Sequence, residues 1–412
     1  MKYIFTLLAL IVTLKIAAQR CVTPDYLLKN SASKIVKSAK VHSVPGERDT
    51  LPNEVIIIPV VVHVLYNNST ENISDQQILS QIKSLNEDFR RQNADAVNTP
   101  EPFKSVAADS RIVFCLAKVD PNGRYTTGIV RKFTSEKTFL ADDAMKFSSK
   151  GGDNAWDATK YLNLWVCNLF GRTLGYSVLP GSPLEKDGVV LKYNVFGTTG
   201  ILDKKYNKGR TATHEIGHWL GLRHLWGDAA CGDDGVADTP PQETSNSNCT
   251  TFPHVSSCSI NQYGDMFMNF MDFNDDACMN LFTNGQKSAM RSLFAKGNSK
   301  NSFLNSMVCD STNAEAGPLP SEETGQNEEL TVSVYPNPFI NEVIVSSSNF
   351  TEANRATLKI YNATGKLFTS QILRQQKTSI PVNNLPAGIY FVRIESNGHH
   401  TVQKIIKLSH GK

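Results

Sequence analysis

The sequence carries no block of like charge. Its 42 Lys and Arg and 39 Asp and Glu leave a net charge of +3, with both signs mixed along 412 residues. Without a basic stripe, nucleic-acid binding has no electrostatic support. Beyond the first 19 residues no stretch is long and apolar enough to span a bilayer. The mature chain is therefore expected to lack a transmembrane segment. No two of the eight cysteines stand at the C-x-x-C spacing of a zinc knuckle. No internal repeat is evident, which argues against a solenoid.

What is present begins with MKYIFTLLALIVTLKIAAQ. Lys2 gives a positive start, Ile4 to Leu14 an apolar run, and Ala17-Ala18-Gln19 a small-residue cleavage region, so residues 1–19 read as a secretory signal. The run is too short for an anchor, and Lys15 interrupts it. Export places the cysteines in an oxidising compartment, and the cluster Cys231, Cys249, Cys258 and Cys278 is expected to form two disulfides. Spacing alone fixes neither their pairing nor the state of Cys115, Cys167 and Cys309.

Residues 20–52 are polar and basic with little periodicity, as in a pro-segment. A β-branched run, VIIIPVVVHVLY, then starts at Val55. Ile78, Ile82 and Leu85 mark one face of a helix, and Ser74 with Gln77 gives a capping-box signature. Further strands are expected within Arg111–Val119, Tyr161–Leu169 and Gly188–Tyr193. This order suggests an α+β catalytic domain over residues 53–309. Residues 310–329 are polar and twice interrupted by proline, as in a linker. From residue 330 to 412, LTVSVYP, EVIVSSS, ATLKIYN, KLFTSQIL, GIYFVRIES and TVQKIIKL read as short strands. Turn signals at Asn337-Pro338, Thr364-Gly365, Pro386-Ala387-Gly388 and Asn397-Gly398 separate them, which predicts a small all-β sandwich.

The chemistry concentrates in THEIGHWLGLRH. His214 and His218 are four apart, so on a helix they share a face and can present nitrogens to one zinc ion. Gly221 permits a sharp exit from the helix, which lets His224 return as a third ligand. Three protein ligands leave one position open for water, and Glu215 stands beside it as general base. With nine histidines in the chain, H-E-x-x-H-x-x-G-x-x-H arises by chance with a probability on the order of 10⁻⁵. In this reading Glu215 takes a proton from the zinc-bound water as it attacks a peptide carbonyl, then hands the proton to the leaving amine.

The extended zinc motif, followed by a methionine turn at Asn269-Phe270-Met271-Asp272, resembles the metzincin metallopeptidases. HEIGHWLGLRHLWG, CGDDGVADTPPQ and NFMDFNDDACMNLFTNGQ are similar to the pappalysin family (M43), in its ulilysin-like branch, over about Val55 to Leu304. The resemblance implies a twisted sheet with an active-site helix, Met271 as an apolar floor beneath the metal, and disulfides Cys231–Cys258 and Cys249–Cys278. It also implies a structural calcium held near Asp234 and Thr239. Asp276 would recognise Arg or Lys just after the scissile bond, with Asp275 its competitor. One departure stands out: Phe273 occupies the position where relatives usually carry a tyrosine whose hydroxyl approaches the reacting carbonyl. A zinc-containing surface binding protein with a weakened site is therefore the alternative to the peptidase.

Cys21 offers a thiolate that could fill the open zinc position and hold a zymogen latent, or else pair with another cysteine. Cleavage before basic residues would make Arg48 a self-processing point. The C-terminal sandwich resembles the sorting domain of the type IX secretion system, on VYPNPF, LPAGIYFVRI and VQKIIKL. That implies outer-membrane secretion machinery as a partner, and a chain that ends extracellular or surface-attached. Protein or peptide substrates are expected.

Overall fold

The computed structural model describes residues 20–24, 54–310, 312, 332–347, 355–362, 367–396 and 399–408. The signal segment, the leader around Arg48, nearly all of the linker, and the turns at Thr364-Gly365 and Asn397-Gly398 lie outside the described residues. The chain divides into two units, Met1–Gly317 and Pro318–Lys412.

In the first unit the β-branched run forms strand β1 (Ile56–Tyr66), buried along nearly its whole length. It stands inside a mixed sheet of order β2-β1-β4-β6-β5, comprising β2 (Ile112–Leu116), β4 (Leu162–Cys167), β6 (Val189–Lys192) and β5 (Gly175–Ser177). A further strand, β3 (Ile129–Phe133), pairs with β1 beyond β2. All neighbours are parallel except β5, which runs antiparallel to β6 at the edge. Parallel strands covered on both faces read as continuous apolar runs rather than alternations, and this is the pattern of β1 and β4. The expected strands appear within one to three residues of their stated ends, whereas β3 and β5 gave no signal. β5 is only three residues long and gives no alternation to read.

Helix α1 (Asp75–Phe89) buries Ile78, Ile82, Leu85 and Phe89 in the core of this unit. Its cap differs from the sequence signature. Ser74 accepts from the Gln77 amide N–H, but the Gln77 side chain donates to the Phe196 carbonyl at 2.8 Å. A distant loop outcompetes the local reciprocal bond, and the complete capping box belongs to Thr283 and Gln286 at α3 (Asn284–Ser292). Between them lies α2 (Arg210–Trp219), buried at every residue. Gly209 begins it at φ 74°, where a Cβ would meet the Gln81 side chain at 2.7 Å.

Three disulfides join Cys115 to Cys309, Cys231 to Cys258 and Cys249 to Cys278, while Cys21 and Cys167 are free and buried. The Cys115–Cys309 bond ties β2 to the last described segment before the linker. The second unit packs sheet β10-β9-β12-β13 against sheet β11-β8-β7, all antiparallel. These strands are β7 (Ser333–Tyr335), β8 (Glu342–Ser346), β9 (Ala356–Asn362), β10 (Leu367–Leu373), β11 (Lys377–Pro381), β12 (Gly388–Ser396) and β13 (His399–Lys407). Its core draws on Val343, Val345, Leu358, Ile360, Val392 and Ile394 from both sheets. β11 is the strand absent from the sequence expectation. Among the described residues no helix is long and apolar enough to cross a membrane.

The C-terminal end of α2 is pinned by a buried ion pair. Lys300 Nζ donates to Asp187 at 2.8 Å and 3.0 Å, the Trp219 indole donates to the same carboxylate, and the ammonium lies 3.9 Å from the Trp219 ring centre. Removing one member of a buried pair leaves an uncompensated charge, at a cost of roughly 3–5 kcal/mol. Asp187→Ala should therefore lower the chemical-denaturation stability by about that amount, while Asp187→Asn, which can still accept from Trp219, should lose less.

Candidate metal centre and active site

Helix α2 places His214, Glu215 and His218 on one buried face. Gly221 follows at φ 86° with its N–H on the His218 carbonyl, and the chain turns back to His224. The three Nε2 atoms then lie 3.1, 3.0 and 3.3 Å from one another. Their Nδ1 atoms face fixed acceptors: the Phe270 carbonyl for His214, the Leu222 carbonyl for His218 and the Asp228 carboxylate for His224. A carbonyl or carboxylate can only accept, so each Nδ1 carries the proton and each Nε2 presents a lone pair. Three lone pairs converging in a dry site repel one another unless a cation lies between them. Burial also drives His218 down to about 3 and His214 well below the usual histidine range, which keeps the rings neutral as ligands must be. The donor set therefore fits a metal ion.

A fourth donor is present. Cys21 Sγ joins the three imidazoles within 4.8 Å, and among the described residues this is the one group of three or more His, Cys, Asp or Glu side chains so gathered. Burial pushes its thiol well above the ordinary range, with the Glu215 charge adding to the shift. Glu215 Oε2 accepts from Cys21 at 3.4 Å and from Thr23 at 3.1 Å, whereas Oε1 is buried with no partner among the described residues. Burial raises the Glu215 carboxyl to about 8, against the lowering effect of the Cys21 and Thr23 bonds. A carboxylate with one unclaimed oxygen, titrating near neutrality, is suited to move protons.

The methionine turn sits beneath this group. Met271 is fully buried, and a Cβ at Gly217 would stand 2.4 Å from its sulfur. The glycine inside HEIGH thus makes room for the floor. Phe273 packs its ring 4.7 Å from His224, 4.9 Å from Trp226 and 5.6 Å from His214.

Beside the centre, Asp276 is buried and burial raises its carboxyl. One oxygen accepts from the backbone N–H of Lys208 and Arg210 at 2.9 and 3.2 Å. The other receives the Arg20 guanidinium at 3.0 Å. Arg20 also donates to the Asn274 carbonyl and lies 5.0 Å from the Tyr206 ring centre. Asp275 turns instead to Lys205 at 3.5 Å. Arg20 to Thr23 run along the edge strand: Cys21 bridges in parallel to Gly175, and Ser177 N–H donates to Thr23 Oγ1 at 3.0 Å. Sequence reasoning missed Arg20, Thr23 and Tyr206, whose roles depend on contacts across the fold, and Asp228, which follows His224 by only four residues.

The 233–239 loop is looser in its chemistry. Asp234 accepts from Thr239 Oγ1 at 2.9 Å and from the Val236 N–H, and burial raises its carboxyl to about 6. Asp238 is committed elsewhere, accepting from Thr283 Oγ1 and the Gly285 N–H at the start of α3.

Because a cation bound only by the folded state stabilises it, a hundredfold excess over Kd should add about 2.7 kcal/mol. Chelation of the purified chain should lower its melting temperature, metal should restore it at one equivalent per chain, and His224→Ala should abolish the restoration.

Residues 147–295 match the Peptidase_M43 profile, described as pregnancy-associated plasma protein-A, and residues 333–408 match the secretion system C-terminal sorting domain. The extracellular metalloprotease 1 of Coccidioides posadasii is 32% identical over 251 residues, or 58% of this chain and 77% of that protein. The extracellular metalloprotease of Sordaria macrospora is 39% identical over 142 residues, covering 48% of its length. Among solved structures, mature mirolysin from Tannerella forsythia with a cleaved peptide is 52% identical with a TM-score of 0.60, covering 61% of this chain and 97% of that one. A promirolysin mutant from the same organism is 46% identical with a TM-score of 0.64, covering 70% and 97%. With a sorting domain and extracellular relatives, the chain is an exported protein, and its converging histidines sit on the scaffold of the family to which it belongs, the pappalysin (M43) metallopeptidases.

Proposed function

We propose that this chain is a secreted zinc-dependent endopeptidase, made as a zymogen, that hydrolyses peptide bonds before arginine or lysine. The observation that carries this reading is the leader itself: Arg20 fills the pocket of Asp276 while Cys21 fills the metal centre. Bound zinc would supply Lewis acidity to a water and to the substrate carbonyl. Glu215, with Oε1 unclaimed, receives the proton of the attacking water and returns it to the departing amine. Met271 and Phe270 hold the floor and the first imidazole in place.

A pocket that gives a guanidinium a carboxylate, a carbonyl and an aromatic face suits a basic side chain. In a substrate with such a residue just after the scissile bond, the residue before it would lie at the metal. In the leader the residue after Arg20, namely Cys21, lies there instead. The leader thus runs opposite to a substrate and offers no bond for cleavage, which fits latency. The sorting unit would deliver the zymogen to the outer-membrane secretion machinery. Calcium would be held in the 233–239 loop by Asp234 and Thr239, whose oxygens suit a hard cation.

Phe273 favours a second reading, a metal-containing binding protein. Its ring lies against two zinc ligands but carries no hydroxyl to donate. A single donor to the developing oxyanion is worth about 10²–10³ in kcat. Cleavage of a denatured protein mixture by the activated chain decides between them. The expected outcome is cuts before Arg and Lys that disappear in Glu215→Ala, although that variant keeps its metal. Asp276→Ala should lose the basic preference, and Phe273→Tyr should raise kcat by up to about 10²-fold. No cleavage by the parent chain, with cleavage appearing only in Phe273→Tyr, would establish the second reading.

The same specificity predicts a one-sided maturation. Lys29, Lys34, Lys37, Lys40 and Arg48 stud the leader, yet no Lys or Arg occurs from Asn301 to Asn354. Self-processing should remove the leader, while intact mass should show the sorting unit still attached until a peptidase of other specificity is added.

A further inference from the structure

The three imidazoles are supported by different kinds of group. His214 and His218 donate from Nδ1 to main-chain carbonyls, at 2.7 and 2.8 Å. His224 alone relies on a side chain, the Asp228 carboxylate at 2.5 Å. That carboxylate is partly exposed, with 40% of the side chain open to solvent.

Asp228 reaches His224 through an unfavourable backbone. Gly227 and Asp228 both take positive φ, 56° and 60°. The Gly227 N–H closes on the His224 carbonyl at 2.8 Å. A Cβ at 227 would stand 2.6 Å from Asp233 N, so only glycine fits beneath the returning loop. Aspartate enters the left-handed region more readily than most L-residues but still at a cost that glycine does not bear, so the surroundings must hold it there. Trp226 stacks flat on His224, with ring centres 4.5 Å apart and planes 5° apart. That stack fixes the plane of the imidazole but not which nitrogen points into the centre. Among the described residues the bond to Asp228 does so.

We propose that Asp228 is the positioning residue of the third ligand: its carboxylate selects the Nδ1–H tautomer of His224, aims Nε2 at the metal and strengthens it as a donor. The inference rests on the metal reading above. Outer partners of this kind typically change metal affinity by about 10–100-fold.

The test uses the full chain, stripped of metal and titrated with zinc against a chromophoric chelator, then with cobalt(II) to record its visible absorption. Asp228→Ala and Asp228→Gly should bind zinc about 10–100-fold more weakly. Asp228→Asn, which can accept but carries no charge, should fall between them and the parent. The cobalt bands should move in all three. The metal-free Asp228→Gly chain should melt no lower than the parent, because glycine relieves the left-handed strain; a purely structural loop cap would give the reverse, a lower melting temperature with unchanged affinity. Zinc affinity within twofold of the parent in both Asp228→Gly and Asp228→Asn overturns the proposal. A parent chain that takes up no metal would overturn the metal reading itself, and this inference with it.

Discussion

The structure around helix α2 depends on three imidazole nitrogens being held within 3.3 Å of one another in a buried interior. Such an arrangement is repulsive without a cation, so the surrounding structure must enforce it. The turn at Gly221, the carbonyls of Phe270 and Leu222, and the methionine floor each remove a freedom that the rings would otherwise use to move apart. The fold does this with rigid parts: a helix buried at every residue, and a mixed sheet whose antiparallel edge strand β5 carries the leader.

The leader meets this site as a counterpart of its two functions. Arg20 pairs with the buried Asp276 carboxylate, and Cys21 Sγ lies within 4.8 Å of the three imidazole nitrogens. Thr23 and Cys21 together occupy one oxygen of Glu215. In the reading proposed above, one short segment thereby engages the specificity pocket, the metal centre and the base. The reversed direction of the chain allows all three contacts without offering a bond to cut.

The linear motif made the gathering of His214, Glu215, His218 and His224 legible, because helical periodicity and a glycine exit are local rules. The long strands β1 and β4 and the helix α1 could be read from apolar runs for the same reason. Among the short strands β2 and β6 carried an apolar run, whereas β5 and β11 carried none, yet β5 is the strand on which the leader lies. The Gln77 cap failed as a local reading because a tertiary acceptor, the Phe196 carbonyl, competes for the same amide. Arg20 meets Asp276 across 256 positions, and no spacing rule connects them. The two clustered disulfides followed from the family resemblance, whereas Cys115–Cys309 spans 194 positions and gave no local signal.

X-ray absorption at the zinc edge of the purified full chain, before and after removal of the leader, tests this picture of the latent centre most directly. The account predicts three nitrogen neighbours at about 2.0–2.1 Å and one sulfur at about 2.3 Å in the zymogen, with the sulfur replaced by oxygen once the leader is gone. A zymogen spectrum with no sulfur neighbour would contradict it.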